Sequence, residues 1–353
     1  MKRNTILTIV ALALFMVAIS LADVTLGRFS IRILNLSAIY VVLALSLNLL
    51  NGFTGLFSLG HAGFMAVGAY VSALLTMSPS QKDMNFFLEP ITPLLANIQL
   101  PFPIALIVAG LCAALVAVII GVPALRLHDD YLAIATLGFA EIIRVILTNV
   151  QNITNGAQGL KGITKYSTTW VVWTVAILAV VFMLALIRSS YGRTMKAVRD
   201  DEIAAEAMGI NVFKVKSTSF VISSFMAGVG GALLGHMITT IDPKMFTLVL
   251  TFNILLIVVL GGNGSITGSV LGAIIVTVLM EALRFLDMPM NFLFIKTNGL
   301  PGLRMVIFSI LLMIVVLYRQ KGLMGNKEFS WDGFFGLFKV LKWKNGTGKG
   351  GRR

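Results

Sequence analysis

Ten apolar runs occupy most of this chain, at residues 5–22, 31–50, 62–77, 101–122, 131–149, 170–187, 217–240, 246–260, 267–286 and 304–318. Hydrocarbon offers no water to satisfy backbone N–H and C=O groups, so a run of about 20 apolar residues crosses a bilayer as a helix. The pattern predicts an all-α polytopic membrane protein with about ten transmembrane helices. Composition agrees: 57% of the 353 residues are hydrophobic and 12% charged, against about 45–50% and about 25% in soluble chains. Lys2-Arg3 before the first run, and the small-x-small triplet Ser20-Leu21-Ala22 at its end, also describe a secretory signal peptide. A retained first helix is preferred, because the run exceeds the usual signal core and a second run follows closely.

The net charge is +13. No soluble basic domain carries it, so nucleic-acid binding is not expected. Positive charge instead marks the cytoplasmic side of membrane proteins. Residues 188–216 hold Arg188, Arg193, Lys196, Arg199, Lys214 and Lys216, and nine Lys/Arg follow from Arg319 onward. Four runs separate these two segments, so both fall on one side. The connections assigned to the other side hold Arg28; Lys82; Lys161 and Lys165; Lys244; and Lys296. The expected organisation is a membrane domain over 1–320 with a cytoplasmic loop at 188–216, a basic tail over 321–353, and both termini inside. Within the tail, Phe334, Leu337, Phe338 and Leu341 lie at helical spacing among Lys339, Lys342 and Lys344, which fits an amphipathic helix on anionic lipid or a disordered basic tail.

Glycine recurs within the runs. Ala227, Gly231 and Gly235, and likewise Gly264, Gly268 and Gly272, are spaced by four, which lets helices approach closely in lipid. Packing inside this bundle is the expectation. Residues 51–63, NGFTGLFSLGHAG, interrupt two runs with glycines, Ser58 and His61. Irregular backbone at membrane depth survives only where protein buries it or a cavity adjoins it, and such breaks mark transport pathways. A plain tight turn is the alternative.

Other chemistry is thin. The tail segment 346–351 resembles a phosphate loop but lacks the Ser/Thr after Lys349, so no ATP hydrolysis is expected of this chain. His61, His128 and His236 form no ligand-spaced cluster, and no metal or cofactor is expected. The lone Cys112 has no disulfide partner. Glu141 with Arg144, and Glu281 with Arg284, are spaced to pair on one helix face, which favours structural salt bridges over a proton relay.

The loop at 188–216 carries the sharpest local pattern. Asp200-Asp201-Glu202 precede Ile203-Ala204-Ala205-Glu206-Ala207-Met208-Gly209. Acids favour a helix N-terminus, alanine favours its interior, and glycine ends it. A helix of about two turns with a small-residue surface follows, suited to a groove on a partner.

This loop resembles the EAA segment of ABC-importer permeases, the coupling helix that docks on the ATPase. Glu202 stands one residue early, since counting back from Gly209 puts Ile203 at the acidic position. Residues 51–70, 123–144 (PALRLHDDYLAIATLGFAEIIR), 155–163 (NGAQGLKGI) and 261–273 (GGNGSITGSVLGA) look like the LivM-type permease of branched-chain amino acid importers. The similarity runs in order over about 34–321, with Ser269 where that family suggests proline, and leaves the tail uncovered.

The resemblance implies an ABC importer permease fold and a multi-pass subunit of the bacterial inner membrane, not an enzyme. It implies translocation of leucine, isoleucine or valine together with a second permease of LivH type, two ATP-binding subunits and a periplasmic substrate-binding protein. Glu202, Ala204, Ala205, Glu206 and Gly209 would couple to the ATPase. Asn48, Asn51, Ser58 and His61 are the candidates for the pathway lining. Urea, a short amide or another small solute is the alternative substrate, and an ion-coupled secondary transporter the alternative mechanism.

Overall fold

The structure, a computed structural model, describes residues 2–126, 129–284, 290–292, 295–297, 303–318, 322–325 and 328. In chain order its helices are α1 (Lys2–Thr25), α2 (Arg28–Asn48), α3 (His61–Thr76), α4 (Pro79–Asn85), α5 (Pro93–Ala96), α6 (Phe102–Ala124), α7 (Asp129–Asn149), α8 (Gln151–Thr154), α9 (Thr169–Arg188), α10 (Ser190–Asp200), α11 (Glu202–Ala207), α12 (Val212–Ile238), α13 (Leu248–Gly261), α14 (Ile266–Ala282) and α15 (Leu303–Tyr318). Each apolar run of the sequence is one of these helices. Among the described residues, six stretches are long and apolar enough to cross a membrane: Arg28–Thr54, Phe102–Gly121, Tyr131–Asn149, Thr169–Arg188, Val212–Ile238 and Pro243–Gly261. Ala13–Thr25, His61–Thr76 and Ile266–Ala282 are shorter apolar helices. The fold is an all-α polytopic membrane bundle. His128, and the tail readings at 334–344 and 346–351, lie outside the described residues.

The centre of the bundle is α12, packed against α3, α6 and α2. Its glycines do this inside the chain, as their spacing predicted. A methyl group on Gly231 would sit 2.1 Å from the carbonyl oxygen of Met65 in α3, and one on Gly228 would sit 2.6 Å from Ala113 Cβ in α6. The same contact recurs where α14 crosses α13, with Gly268 against the Gly261 carbonyl at 2.3 Å from such a methyl. Among lipid tails that are as apolar as the helices, this close backbone approach supplies the packing that hydrophobic burial cannot. The two expected charge pairs form, Arg144 with Glu141 at 2.6 Å and Arg284 with Glu281 at 2.7 Å.

The connections between helices divide between the two ends of the bundle. At one end, β1 (Leu160–Lys161) pairs antiparallel with β2 (Thr240–Ile241). Gln81 and Asn85 of α4 bond to the backbone of Gly162 and Lys161 there. Lys82 is fully buried beneath this cap and donates to the carbonyls of Leu95 and Ile98, each at 2.6 Å. That burial holds its ammonium below the usual lysine range. At the opposite end, Arg199 bonds to Gly52, Lys216 pairs with Glu202, and the short stretch after α15 returns to the α13–α14 turn. A second small ladder joins β3 (Met290–Phe292) to β4 (Ile295–Thr297).

A side chain at the α3–α12 crossing should be costly. Gly231→Val overpacks a backbone contact, at about 1–3 kcal/mol or more, whereas Gly138 has open space around it. Thermal unfolding of the detergent-solubilised protein should show a clear loss for Gly231→Val and none for Gly138→Ala. Equal melting of the two variants contradicts this account of the packing.

Candidate functional site

The α2 helix does not end cleanly. After Asn48 it widens into a π-turn over Leu49–Thr54, and Gly55 then takes a left-handed conformation at φ +81°. Such turns disrupt the regular carbonyl-to-amide ladder and concentrate at functional positions. Residues 56–59 have no regular secondary structure, and Gly60, at φ −83° and ψ 4°, turns the chain into α3 at His61. Along this stretch burial alternates: Leu56, Ser58 and Gly60 face inward, while Gly55 and Phe57 are exposed and Leu59 is half-buried. The period of two is that of an extended chain with one face against protein.

The Leu56 N–H still reaches the Leu50 carbonyl at 2.9 Å, and neighbouring helices supply hydroxyls for two amides further on. The Leu59 N–H donates to Thr136 Oγ1 of α7 at 3.1 Å, while that hydroxyl's own proton goes to the Ala133 carbonyl at 3.0 Å. The Ala62 N–H donates to Thr251 Oγ1 of α13, also at 3.1 Å. Both threonines are buried. Sequence reasoning missed them, because a threonine in an apolar run looks like any other small residue.

The four predicted pathway residues separate into different environments. Asn48 is fully used: Nδ2 donates to the Ser265 carbonyl at 2.9 Å and to Ser269 Oγ at 2.8 Å, and Oδ1 accepts from Gly264 N–H at 2.9 Å. It clasps the end of α2 to the start of α14. His61 is buried with Nε2 at 2.7 Å from Ser46 Oγ. That hydroxyl donates to Leu43 at 2.9 Å, which assigns the imidazole proton to Nε2. Ser58 is buried and faces inward, near the Gly60 N–H at 3.4 Å. Asn51 differs from all three, since both its amide atoms are buried without a hydrogen-bond partner in this chain. A buried amide left unpaired costs about 1–3 kcal/mol.

Beside the break stands a helical knob built from α10 and α11. Sequence reasoning gave it one helix; the structure has two, because Asp201 turns extended and caps α11 through its side chain, accepting from Ala204 N–H at 2.9 Å. The predicted glycine stop is present. Gly209 is left-handed at φ +83°, Ile210 N–H reaches back to the Ala205 carbonyl at 3.1 Å, and Gly209 N–H to Glu206 at 2.9 Å. These bonds form a Schellman closure. Among the proposed coupling residues, Ala205 is buried, whereas Ala204, Glu206 and Gly209 are exposed. Glu202 is ion-paired with Lys216 of α12. Ile203 and Met208 stand out, each 83% exposed. They form an exposed apolar pair on a turn capped at both ends.

The tail contributes a residue that the sequence did not single out. Glu328 accepts from Ile266 N–H at 2.7 Å and Thr267 N–H at 3.0 Å, and from the Thr267 hydroxyl, so it caps α14. Leu323 and Met324 N–H close on the last carbonyls of α13 at 2.8 and 3.1 Å.

Comparison with known proteins is consistent with this arrangement. The family described as branched-chain amino acid transport system / permease component matches residues 29–317. The chain is similar to the high-affinity branched-chain amino acid transport system permease protein LivM of Escherichia coli (strain K12), at 32% identity over 96% of this chain and 78% of the relative. It is 31% identical to the LivM protein of Salmonella typhimurium, over 73% of this chain and 64% of that one. It is also 32% identical to the LivH permease protein of Salmonella typhimurium, over 43% of this chain and 45% of that one. No solved structure matches.

Removing the Thr251 hydroxyl while keeping its shape should expose the dependence of the break on it. Thr251→Val leaves the Ala62 N–H unpaired, at about 1–3 kcal/mol, and Thr251→Ser does not. Hydrogen exchange at residues 55–63 should accelerate in the valine variant alone. The same exchange in both variants contradicts the assignment.

Proposed function

The chain belongs to the family of branched-chain amino acid transport system permease components, and on that premise we propose how it works as the permease subunit of a branched-chain amino acid ABC importer. All ten apolar helices cross the bacterial inner membrane, with both termini and the loop at 188–216 in the cytoplasm. Residues 1–320 form the membrane domain, and 321–353 a basic cytoplasmic tail. The alternation of Lys/Arg along the chain supports this orientation, and so does the division of the connections between two ends. The end built from α4, α5, α8 and the β1–β2 pair then faces outward. There a periplasmic binding protein delivers leucine, isoleucine or valine.

A second permease of LivH type completes the pathway, and two ATP-binding subunits drive it from the cytoplasm. The observation that carries this reading is the capped knob with Ile203 and Met208 raised into solvent. Ile203 occupies the position where the family pattern has an acid. Contact with the ATPase is therefore apolar at its centre, with Ala204, Glu206 and Gly209 around it and Ala205 and Glu202 holding the knob to the bundle. Closure of the ATPase dimer on ATP moves the knob, and the bundle switches between outward and inward access. No covalent chemistry is asked of this chain.

The wall of the pathway is the exposed face of the break, Gly55, Phe57 and Leu59, with Asn51 beside it. An aliphatic side chain travels along an apolar wall without binding tightly. The Asn51 amide, buried and without a partner in this chain, offers hydrogen bonds to the polar end of the amino acid once movement of the break uncovers it. Asn48, Ser58 and His61 hold the wall from behind.

Reconstitution with the four partner proteins in vesicles tests this. ATP-driven leucine uptake should fall at least about tenfold in Ile203→Asp or Met208→Asp, the effect of removing an apolar anchor from an interface. Asn51→Ala should lower uptake while the complex still assembles. Leucine, isoleucine and valine should compete with one another, and urea should not. Full uptake in both knob variants contradicts the docking role, and competition by urea contradicts the substrate.

A further inference from the structure

Two elements of this protein meet without sharing any sequence proximity, the last turn of α10 and the π-turn of α2. Arg199 makes the junction. Its Nη1 donates to the Gly52 carbonyl at 2.9 Å, and its Nε and Nη2 hold Asp200 Oδ1 at 3.0 and 2.7 Å. The Gly52 carbonyl lies in the turn where the regular ladder is disrupted, and it takes this hydrogen bond from the guanidinium. Lys196, one turn earlier, places Nζ 5.8 Å from the centre of the Phe53 ring. Gly55 lies directly under Arg199, so that a methyl there would come within 3.0 Å of Arg199 Cγ.

Behind Gly52 the packing is equally close. A methyl on Gly52 would lie 1.9 Å from Asn48 Oδ1 and 2.3 Å from Gly264 N. Gly264 in turn is held by Asn48, and the turn that contains it is closed from the far side by Leu323, Met324 and Glu328. The π-turn therefore has a close-packed wall behind it and, in front, one cation hydrogen-bonded to its backbone, Arg199, with Lys196 over the Phe53 ring beside it.

We propose that Arg199 is a positioning residue that transmits movement of the knob to the broken segment of α2. The inference rests on the importer reading and deepens it. Beside the apolar packing of Met195, Val198 and Ala205 and the Lys196–Phe53 contact, two side-chain polar ties join the knob to the bundle. Glu202 with Lys216 leads to α12, the rigid centre, and Arg199 with Gly52 leads to the π-turn and, three residues on, to the left-handed Gly55 where the extended segment starts. Only the second tie ends at a segment whose backbone lacks a regular ladder. A displacement of α10 at this point pulls a carbonyl in the turn directly. Arginine suits the task because its planar fork bonds in two directions at once, to Asp200 and to Gly52, which the single ammonium of lysine does not reproduce.

The test uses the complete reconstituted complex and compares leucine taken up with ATP hydrolysed. This ratio reports coupling, whereas a merely structural role lowers both quantities together. Arg199→Lys keeps the charge and the Asp200 pair but loses the reach to Gly52, and uptake per ATP should drop about tenfold, as expected for a lost charge-assisted hydrogen bond. Asp200→Asn removes the ion pair, leaves the Gly52 bond, and should keep the ratio near that of the unmodified complex. An undiminished ratio in Arg199→Lys overturns this inference alone. Loss of ATP-driven uptake in the unmodified complex overturns the importer reading and this inference with it. If Arg199→Lys and Asp200→Asn lower the ratio equally, the ion pair and not the Gly52 bond is responsible, and the inference fails.

Discussion

Every polar group of a backbone at membrane depth must find a partner inside the protein, and the break between α2 and α3 is where this constraint is hardest to meet. A helix meets it internally. The irregular residues 56–60 do not, and help comes from other helices: Thr136 of α7 closes the Leu59 N–H, and Thr251 of α13 closes the Ala62 N–H in the first turn of α3. The arrangement needs α3, α7 and α13 at fixed depth relative to one another. Glycine contacts along α12 and α3 secure that depth, because they let backbones touch and leave no freedom to slide. The most irregular part of the chain is in this way held by its most regular part.

The same geometry sets two hydrogen-bonded groups on either side of the break. Asn48 and the α13–α14 turn form one, to which Glu328, Leu323 and Met324 are clasped. The knob stands on the other side, with α11 capped at both ends and held to the bundle by the Glu202–Lys216 pair and by buried Met195, Val198 and Ala205. Between the two lies the π-turn. In the proposed coupling, force applied to α11 reaches the break through contacts that cross that gap, and the Arg199–Gly52 hydrogen bond is one of them.

Much of this was legible in the sequence, for physical reasons. Apolar runs specify helices because hydrocarbon permits little else, and all ten runs are helices here. The pairing of Glu141 with Arg144 and the stop at Gly209 followed from local spacing and backbone preference. The inner face of the break was less legible. Ser58 and His61 drew attention as polar residues at membrane depth, yet the extended geometry turns Ser58 inward and leaves Phe57 outward. That parity is set by where the π-turn ends, which no local preference fixes. Thr136, Thr251 and Arg199 act across long sequence separations, and only the folded chain brings them to the break. Glu202 looked misplaced by one residue against the family pattern; in the structure it has a partner of its own, Lys216, and Ile203 takes the outward position.

The central claim is that partner-driven movement of the knob shifts the extended segment between α2 and α3. It is tested most directly by replacing Cys112 with serine, introducing cysteine at position 57, and measuring the rate of thiol labelling in the assembled complex. We predict a labelling rate that changes several-fold between the nucleotide-free complex and one trapped with a non-hydrolysable ATP analogue. An identical rate in the two states, with the analogue bound, contradicts the account.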